Sequence, residues 1–406
     1  MSEAETPRSA GVQDCPFHHA DGLEFDPLLS RLLTEDPVAR IRMRYGTEEA
    51  WLATRYRDVQ VVTEDRRFSR AAGVGRDLPR MTPEPIAHPD AINLMDPPAH
   101  TRLRRVIASG LSPGAVERLR PRAEQIVDRL LNELVAEGAP ADLVGHFSDH
   151  LPLAVMSEMF GIPEQDRDWL RQRTISIMTI APERGIAASD AKAELREYFT
   201  DLVAHRRREG GNDLLSAMCQ ADSTDEPLSD SEVAMLGQVL MVAGHDTLTY
   251  EISNIVYVLL THEAVLAQIR ARPERLPRAI EELLRFIPFR QGVGIARIAM
   301  EDVELGGRFI RADDTVHVSY LTANRDGEVF PQPDEIDVNR TPKPHMTFGY
   351  GPHRCPGAQL ARMELQVAIG ALLHRFPNLR LAVDPDDIEW NASSIWRFPV
   401  ALPVRW

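Results

Sequence analysis

The segment Phe348-Gly349-Tyr350-Gly351-Pro352-His353-Arg354-Cys355-Pro356-Gly357-Ala358-Gln359-Leu360-Ala361-Arg362 decides the reading of this 406-residue chain. A thiol sits in a glycine- and proline-rich loop that opens directly into a helix, expected from about 357 to 375. Glycines at 349, 351 and 357 permit tight backbone geometry and leave amide N–H groups free to point at the sulfur. A helix N-terminus favours negative charge, so Cys355 is expected as a thiolate suited to a soft metal or to nucleophilic attack. On residue type alone a lone cysteine is more often a small core residue, and the surrounding glycines do not specify a metal.

Working outward, Leu228 to Arg272 contains no proline, and Ser229 with Glu232 forms a capping-box start. A helix from about 230 to 260 would run roughly 45 Å, enough to cross a domain. Its middle reads Ala243-Gly244-His245-Asp246-Thr247, placing a glycine and an Asp-Thr pair where they cost helix stability. Such local conflicts point to function. The alternative is that Gly244 admits a close neighbour and Asp246 reaches solvent. From about 100 to 285 apolar residues recur three and four apart, with breaks at Pro113, Pro121, Pro140, Pro152, Pro163, Pro182, Pro227 and Pro273. Short alternating stretches between residues 38 and 64, and again through Val303, Leu305, Phe309 and Val316, read as strands. The fold class is therefore mainly α with small β-sheets. The polar residues 1–20 are expected to be unstructured, and length alone leaves the domain count open.

Acidic residues outnumber basic ones 61 to 46, a net charge of −15, which argues against nucleic acid as the partner. Within that acidic average, Thr101 to Arg122 holds arginines 102, 104, 105, 118, 120 and 122 against the single acid Glu117. Cys15, Cys219 and Cys355 are too dispersed for a disulfide framework or a paired-cysteine zinc site. The N-terminus lacks the charged start and apolar stretch of a signal peptide, and no run reaches ~18 apolar residues. The expectation is a cytoplasmic protein that is neither secreted nor membrane-bound.

The cysteine segment resembles the haem-binding loop of cytochromes P450, Phe-Gly-x-Gly-x-His-x-Cys-x-Gly, at every specified position. Other segments resemble the same family in the same order. Met95 to Arg105 is similar to the helix beside the haem, Ala243 to Thr247 to the oxygen-activation motif, and Glu282-Leu283-Leu284-Arg285 to the Glu-x-x-Arg motif. Ala323-Asn324-Arg325-Asp326 and Arg340 resemble the approach to the haem loop.

The resemblance implies one domain over residues 21–406, a P450 fold with haem b between the long central helix and the cysteine-loop helix. It implies Cys355 as the iron ligand, with Phe348 and Gly357 around it and Ala243 and Gly244 on the opposite side leaving room for dioxygen. His100, Arg104, Arg297 and His353 match positions that hold the haem propionates. Asp246 and Thr247 match the acid–alcohol pair that delivers protons to the activated oxygen, and His245 is read as structural. Glu282, Arg285 and Arg340 match a structural ion-pair network. The substrate pocket is expected from Leu94, Val239, Val242, Val293, Ile295 and Ile395, drawn from the stretches Arg80–Leu94 and Ile175–Ala187, the central-helix positions 239, 242 and 243, the stretch Val293–Ile295 and the turn near Ile395 and Trp396. Arg290 reads as a surface arginine, with pairing to an acidic or hydroxylated substrate as the alternative.

The implied activity is O2-dependent hydroxylation or epoxidation of a lipophilic secondary metabolite, such as a macrolide or other polyketide. Electrons would come from NAD(P)H through ferredoxin reductase and ferredoxin, the latter docking on the arginine island with Arg354 and Arg362. The expected protein is a monomer. The alternatives are a P450-type enzyme without oxygen insertion, such as a phenol-coupling catalyst or nitric oxide reductase, and a haem-binding sensor.

Overall fold

The computed structural model describes residues 11–14, 22–46, 49–83, 88–177, 185–220, 227–290 and 292–406. The central helix runs Asp230–Thr261, 32 residues. Its start is fixed reciprocally: the Glu232 N–H donates to Ser229 Oγ at 3.2 Å and the Ser229 N–H to Glu232 Oε2 at 2.9 Å. The apolar side chains wrap nearly its whole circumference, and accordingly it is buried on all sides. Helices Leu151–Phe160, Gly185–Glu209 and Ala358–Arg375 pack against it.

Proline does not always break a helix here. Pro113 and Pro152 stand at helix starts, where a missing N–H costs nothing. Pro121, expected as a break, lies inside the 25-residue helix Pro113–Glu137. The carbonyl that it leaves without a donor belongs to exposed Glu117, where water can serve instead.

The main sheet orders six strands as Gln13–Asp14, Val38–Arg42, Glu49–Ala53, Thr315–Val318, Arg297–Ala299 and Phe68–Ser69. Glu49–Ala53 runs parallel to Thr315–Val318 with Trp51 opposite Val316, which also faces Arg297 on the antiparallel side. This register carries Arg297 to the inner end of the sheet. Gln13 and Asp14, inside the stretch expected to be unstructured, extend the sheet by pairing with Ile41 and Arg42; residues 1–10 and 15–20 lie outside the described residues. A hairpin, Val303–Leu305 with Arg308–Ile310, and a three-stranded sheet of Arg380–Leu381, Pro403–Arg405 and Ala141–Asp142 complete the β structure. No single described helix is long and apolar enough to cross a membrane.

Candidate functional site

A cavity of about 340 Å³ lies between the central helix and the cysteine loop. Cys355, Phe348, His353 and Gly357 form one wall, and Ala243, Gly244 and Thr247 another. The loop is held by the Cys355 N–H donating to the Phe348 carbonyl at 2.7 Å. Gly349 and Gly351 both sit at φ 71°, where a side chain is strained, and a Cβ on Gly351 would fall 2.6 Å from the Thr63 carbonyl oxygen.

The thiolate expected at Cys355 has burial working against it. Burial pushes its pKa up, and the Gly357 N–H, Arg104, Arg354 and Arg362 offset this only in part. A cationic metal at the sulfur would supply what is lacking. Among the described residues no group of three or more His, Cys, Asp or Glu gathers to hold a metal ion. A metal at Cys355 would therefore need its other ligands from a group brought with it, as haem brings four nitrogens.

Cations lie beside that wall. The His100 and His353 rings are 4.1 Å apart, and Arg104 donates to the Arg354 carbonyl at 2.8 Å. Burial pushes His353 down to about 2 and His100 to about 4, with the neighbouring arginines adding to both shifts. Buried Arg297 spends one nitrogen on the Ile295 carbonyl at 3.3 Å, while its Nη2 has no partner. Arg70, which the sequence reading did not single out, is also buried here. It donates to the Asn93 carbonyl at 3.0 Å, its Nε is unpartnered, and burial with Arg297 nearby lowers its pKa to about 9. Such a cluster is electrostatically incomplete. Two carboxylates, as on a haem, would complete it, so these residues fit the group.

On the distal side the Thr247 hydroxyl donates to the Ala243 carbonyl at 2.7 Å. Gly244 lines the cavity, yet a Cβ there would meet Met156 Sδ at 2.6 Å, so Met156 already fills the space beside it. Asp246 does not reach solvent: it is 1% exposed, and neither carboxylate oxygen has a hydrogen-bond partner. His245 Nδ1 lies 3.0 Å from Asp246 Oδ1 without the alignment of a hydrogen bond, and 2.7 Å from the Thr174 hydroxyl. Its Nε2 faces the Asp149 carbonyl at 3.3 Å. Glu251 and Glu364 also line the cavity, and burial holds both well above the usual carboxylate range.

The pocket expectations divide. Leu94, Val293, Ile295 and Ile395 line a second cavity of about 120 Å³ that shares Arg70, Arg290, Gly294 and Ile295 with the first. Val239 and Val242 line neither. Val242 is buried in the main core, and Val239 packs towards Leu94 and Ile295. The lining phase of the central helix is instead Leu240, Ala243, Gly244, Thr247, Leu248 and Glu251. Residues 84–87 and 178–184 of the broader pocket stretches lie outside the described residues. Arg290 is not a surface residue: it lines both cavities, and its Nε is sealed without a partner.

Glu282, Arg285 and Arg340 come together. Arg285 donates to both Glu282 oxygens at 2.8 Å, and Arg340 Nε reaches the same two at 3.0 and 3.1 Å. Arg285 also donates to the carbonyls of Asn324, Pro333 and Glu335. The arginine island is thinner than its sequence suggests. Arg102 pairs with Glu232, Arg120 with Glu117 and Arg122 with Glu158, while Arg362 is clamped by Glu281 at 2.7 and 2.8 Å.

Residues 175–392 match the family model for Cytochrome P450. A crystal structure described as cytochrome P450mel 107F1 with biaryl coupling reactivity is 56% identical, with a TM-score of 0.95 over 97% of this chain and 100% of that one. Nocardicin C N-oxygenase of Nocardia uniformis subsp. tsuyamanensis is 44% identical over 392 residues, 96% of this chain and 98% of the relative. Mycinamicin IV hydroxylase/epoxidase of Micromonospora griseorubida is 40% identical over 398 residues, 98% of this chain and 100% of the relative. With matches of this extent and a lone cysteine facing an alanine–threonine helix wall across a cation-flanked cavity, the chain belongs to the cytochrome P450 family.

Proposed function

We propose that the protein is a haem-thiolate monooxygenase that hydroxylates or epoxidises a lipophilic secondary metabolite, of the macrolide or other polyketide kind. The observation that carries this reading is that Cys355 and Thr247 line one cavity from opposite elements. Haem b bound there supplies the activation of O2. Cys355 is its ligand, the Gly357 N–H supports the sulfur, and His100, Arg104, Arg297 and His353, with Arg70, hold the propionates. Thr247 must release the Ala243 carbonyl before its proton can be donated into the cavity. Asp246 is the acid for the following proton; it is sealed, and the His245 ring lies beside it.

Electrons come from NAD(P)H through ferredoxin reductase and ferredoxin in the cytoplasm. Arg105, Arg118 and Arg354, exposed and carrying no ion pair among the described residues, provide the docking charge, so reduction slows as salt rises. The enzyme works as a monomer.

A second reading is oxidative coupling of aromatic substrates, favoured by the 56% identity to the structure described with biaryl coupling reactivity. Single turnover under ¹⁸O₂ with ferredoxin, reductase and NADH separates the two. Substrate plus one labelled oxygen supports monooxygenation, and a dimeric unlabelled product supports coupling.

A further inference from the structure

Arg290 lies where the two cavities meet, and its surroundings are those of a cation kept without an anion. Its guanidinium carbon is 5.2 Å from the centre of the Trp396 ring, which stacks on Phe289 at 5.3 Å and 4°. Burial lowers its pKa to about 10, leaving it charged at neutral pH, and only the Tyr320 hydroxyl opposes that shift. No carboxylate among the described residues does so. A cation–π contact offsets only part of what an unpaired buried charge costs.

The neighbouring cations have other partners. Arg290 adjoins the propionate cluster: it is among the charges that lower the pKa of Arg70, though not among those acting on His353. Two propionates together with Asp96, which accepts from the Arg70 N–H at 3.0 Å, balance Arg70, Arg104 and Arg297. Arg290 remains uncompensated. On the same wall the Trp396 ring, 7% exposed, lines the cavity, while its indole N–H is sealed and without a hydrogen-bond partner among the described residues. Gly294 borders both cavities with no room for a side chain of its own, since a Cβ there would press on Val318 at 2.8 Å and Tyr320 at 3.2 Å.

We infer that Arg290 and Trp396 form a recognition site for an anionic oxygen, carboxylate or phenolate, carried on a planar aromatic part of the substrate. The guanidinium takes the charge, and the Phe289–Trp396 stack presents a flat apolar surface to the ring. The inference rests on the cavity being the substrate site of a P450, and it narrows a lipophilic substrate to an acidic aromatic one.

The test is calorimetric titration of the ferric holoenzyme with 2-naphthoate and with 2-naphthamide, a neutral molecule of the same shape. Naphthoate should bind at least about tenfold tighter, the advantage expected of a charge-assisted bond over a neutral one. Arg290→Gln should bring the two affinities together, Arg290→Lys should keep part of the difference, and Trp396→Phe, which retains a ring, should weaken naphthoate by a smaller factor. Equal affinities in the unsubstituted enzyme, or a preference unchanged in Arg290→Gln, overturn the inference. The reduced carbon monoxide spectrum of each variant separates this from failure of the P450 reading. A thiolate-type band with no naphthoate preference sinks the anion site alone, whereas absence of that band in the unsubstituted protein sinks the reading beneath it.

Discussion

Two buried groups of arginines, built from the same side chain, are treated in opposite ways. Around Glu282, Arg285 and Arg340 place their guanidinium N–H groups on one carboxylate and on backbone carbonyls, and the Asp337 N–H donates to the same carboxylate at 3.0 Å. Around the cavity, Arg70, Arg290 and Arg297 each leave a sealed nitrogen unpartnered. A saturated group supports the fold by itself, whereas an unsaturated one is completed by something that binds. The contrast supports the proposal that the first group serves the fold and the second haem and substrate.

The largest effect should come from breaking the saturated group. Glu282→Ala strands two cations and should cost about 3–5 kcal/mol, read by urea unfolding of apoprotein and holoprotein alike. If it unfolds no earlier than the unsubstituted protein, the carboxylate is not the keystone of that group. Arg297→Leu should do the reverse. It relieves repulsion in the apoprotein, leaving stability equal or higher, but loses about 2 kcal/mol or more of haem affinity, read by haem transfer to apomyoglobin. Equal loss in apoprotein and holoprotein would make Arg297 structural too.

Acid should separate the regions next. His100 has its pKa lowered from 6.5 to about 4 by burial and by Arg104 and Arg70, with Asp96 opposing. The unfolded chain takes up that proton first, so this contribution is complete above pH 6.5 and is lost as pH falls towards about 4. Burial would raise Glu282, but Arg285 and Arg340 hold it below its ordinary 4.5, so its contribution is lost only below that pH. Apoprotein stability should thus begin to decline near pH 6.5, and His100→Gln should flatten the slope; bound propionates, by favouring charged His100, should flatten it as well. A slope untouched by both would contradict the assignment. The smallest effect is expected from Gly244→Ala, where the flexible Met156 can yield: about 1 kcal/mol by thermal unfolding, recovered in part by Met156→Ala. Full neutrality would show that the helix tolerates a side chain at 244.

Legibility in the sequence followed the same division. The cysteine loop could be read because its requirements are local: glycines at positive φ, one thiol and a helix start, all within ten residues. The central helix declared itself through its cap and its lack of proline. Arg290 was misread because neither its enclosure nor its lack of a counter-charge is a property of neighbouring residues. Val242 was misplaced by helix phase: it lies 100° round the helix from Ala243, which turns it into the core. Asp246 is sealed by packing from elsewhere in the chain. The arginine island lost charge to Glu158 and Glu232, acids far along the chain from their partners.

The most direct measurement is the reduced carbon monoxide spectrum of the purified protein beside that of Cys355→Ala. The account predicts the red-shifted Soret band of thiolate-ligated haem in the first and its loss in the second. Persistence of that band without the Cys355 sulfur would contradict it.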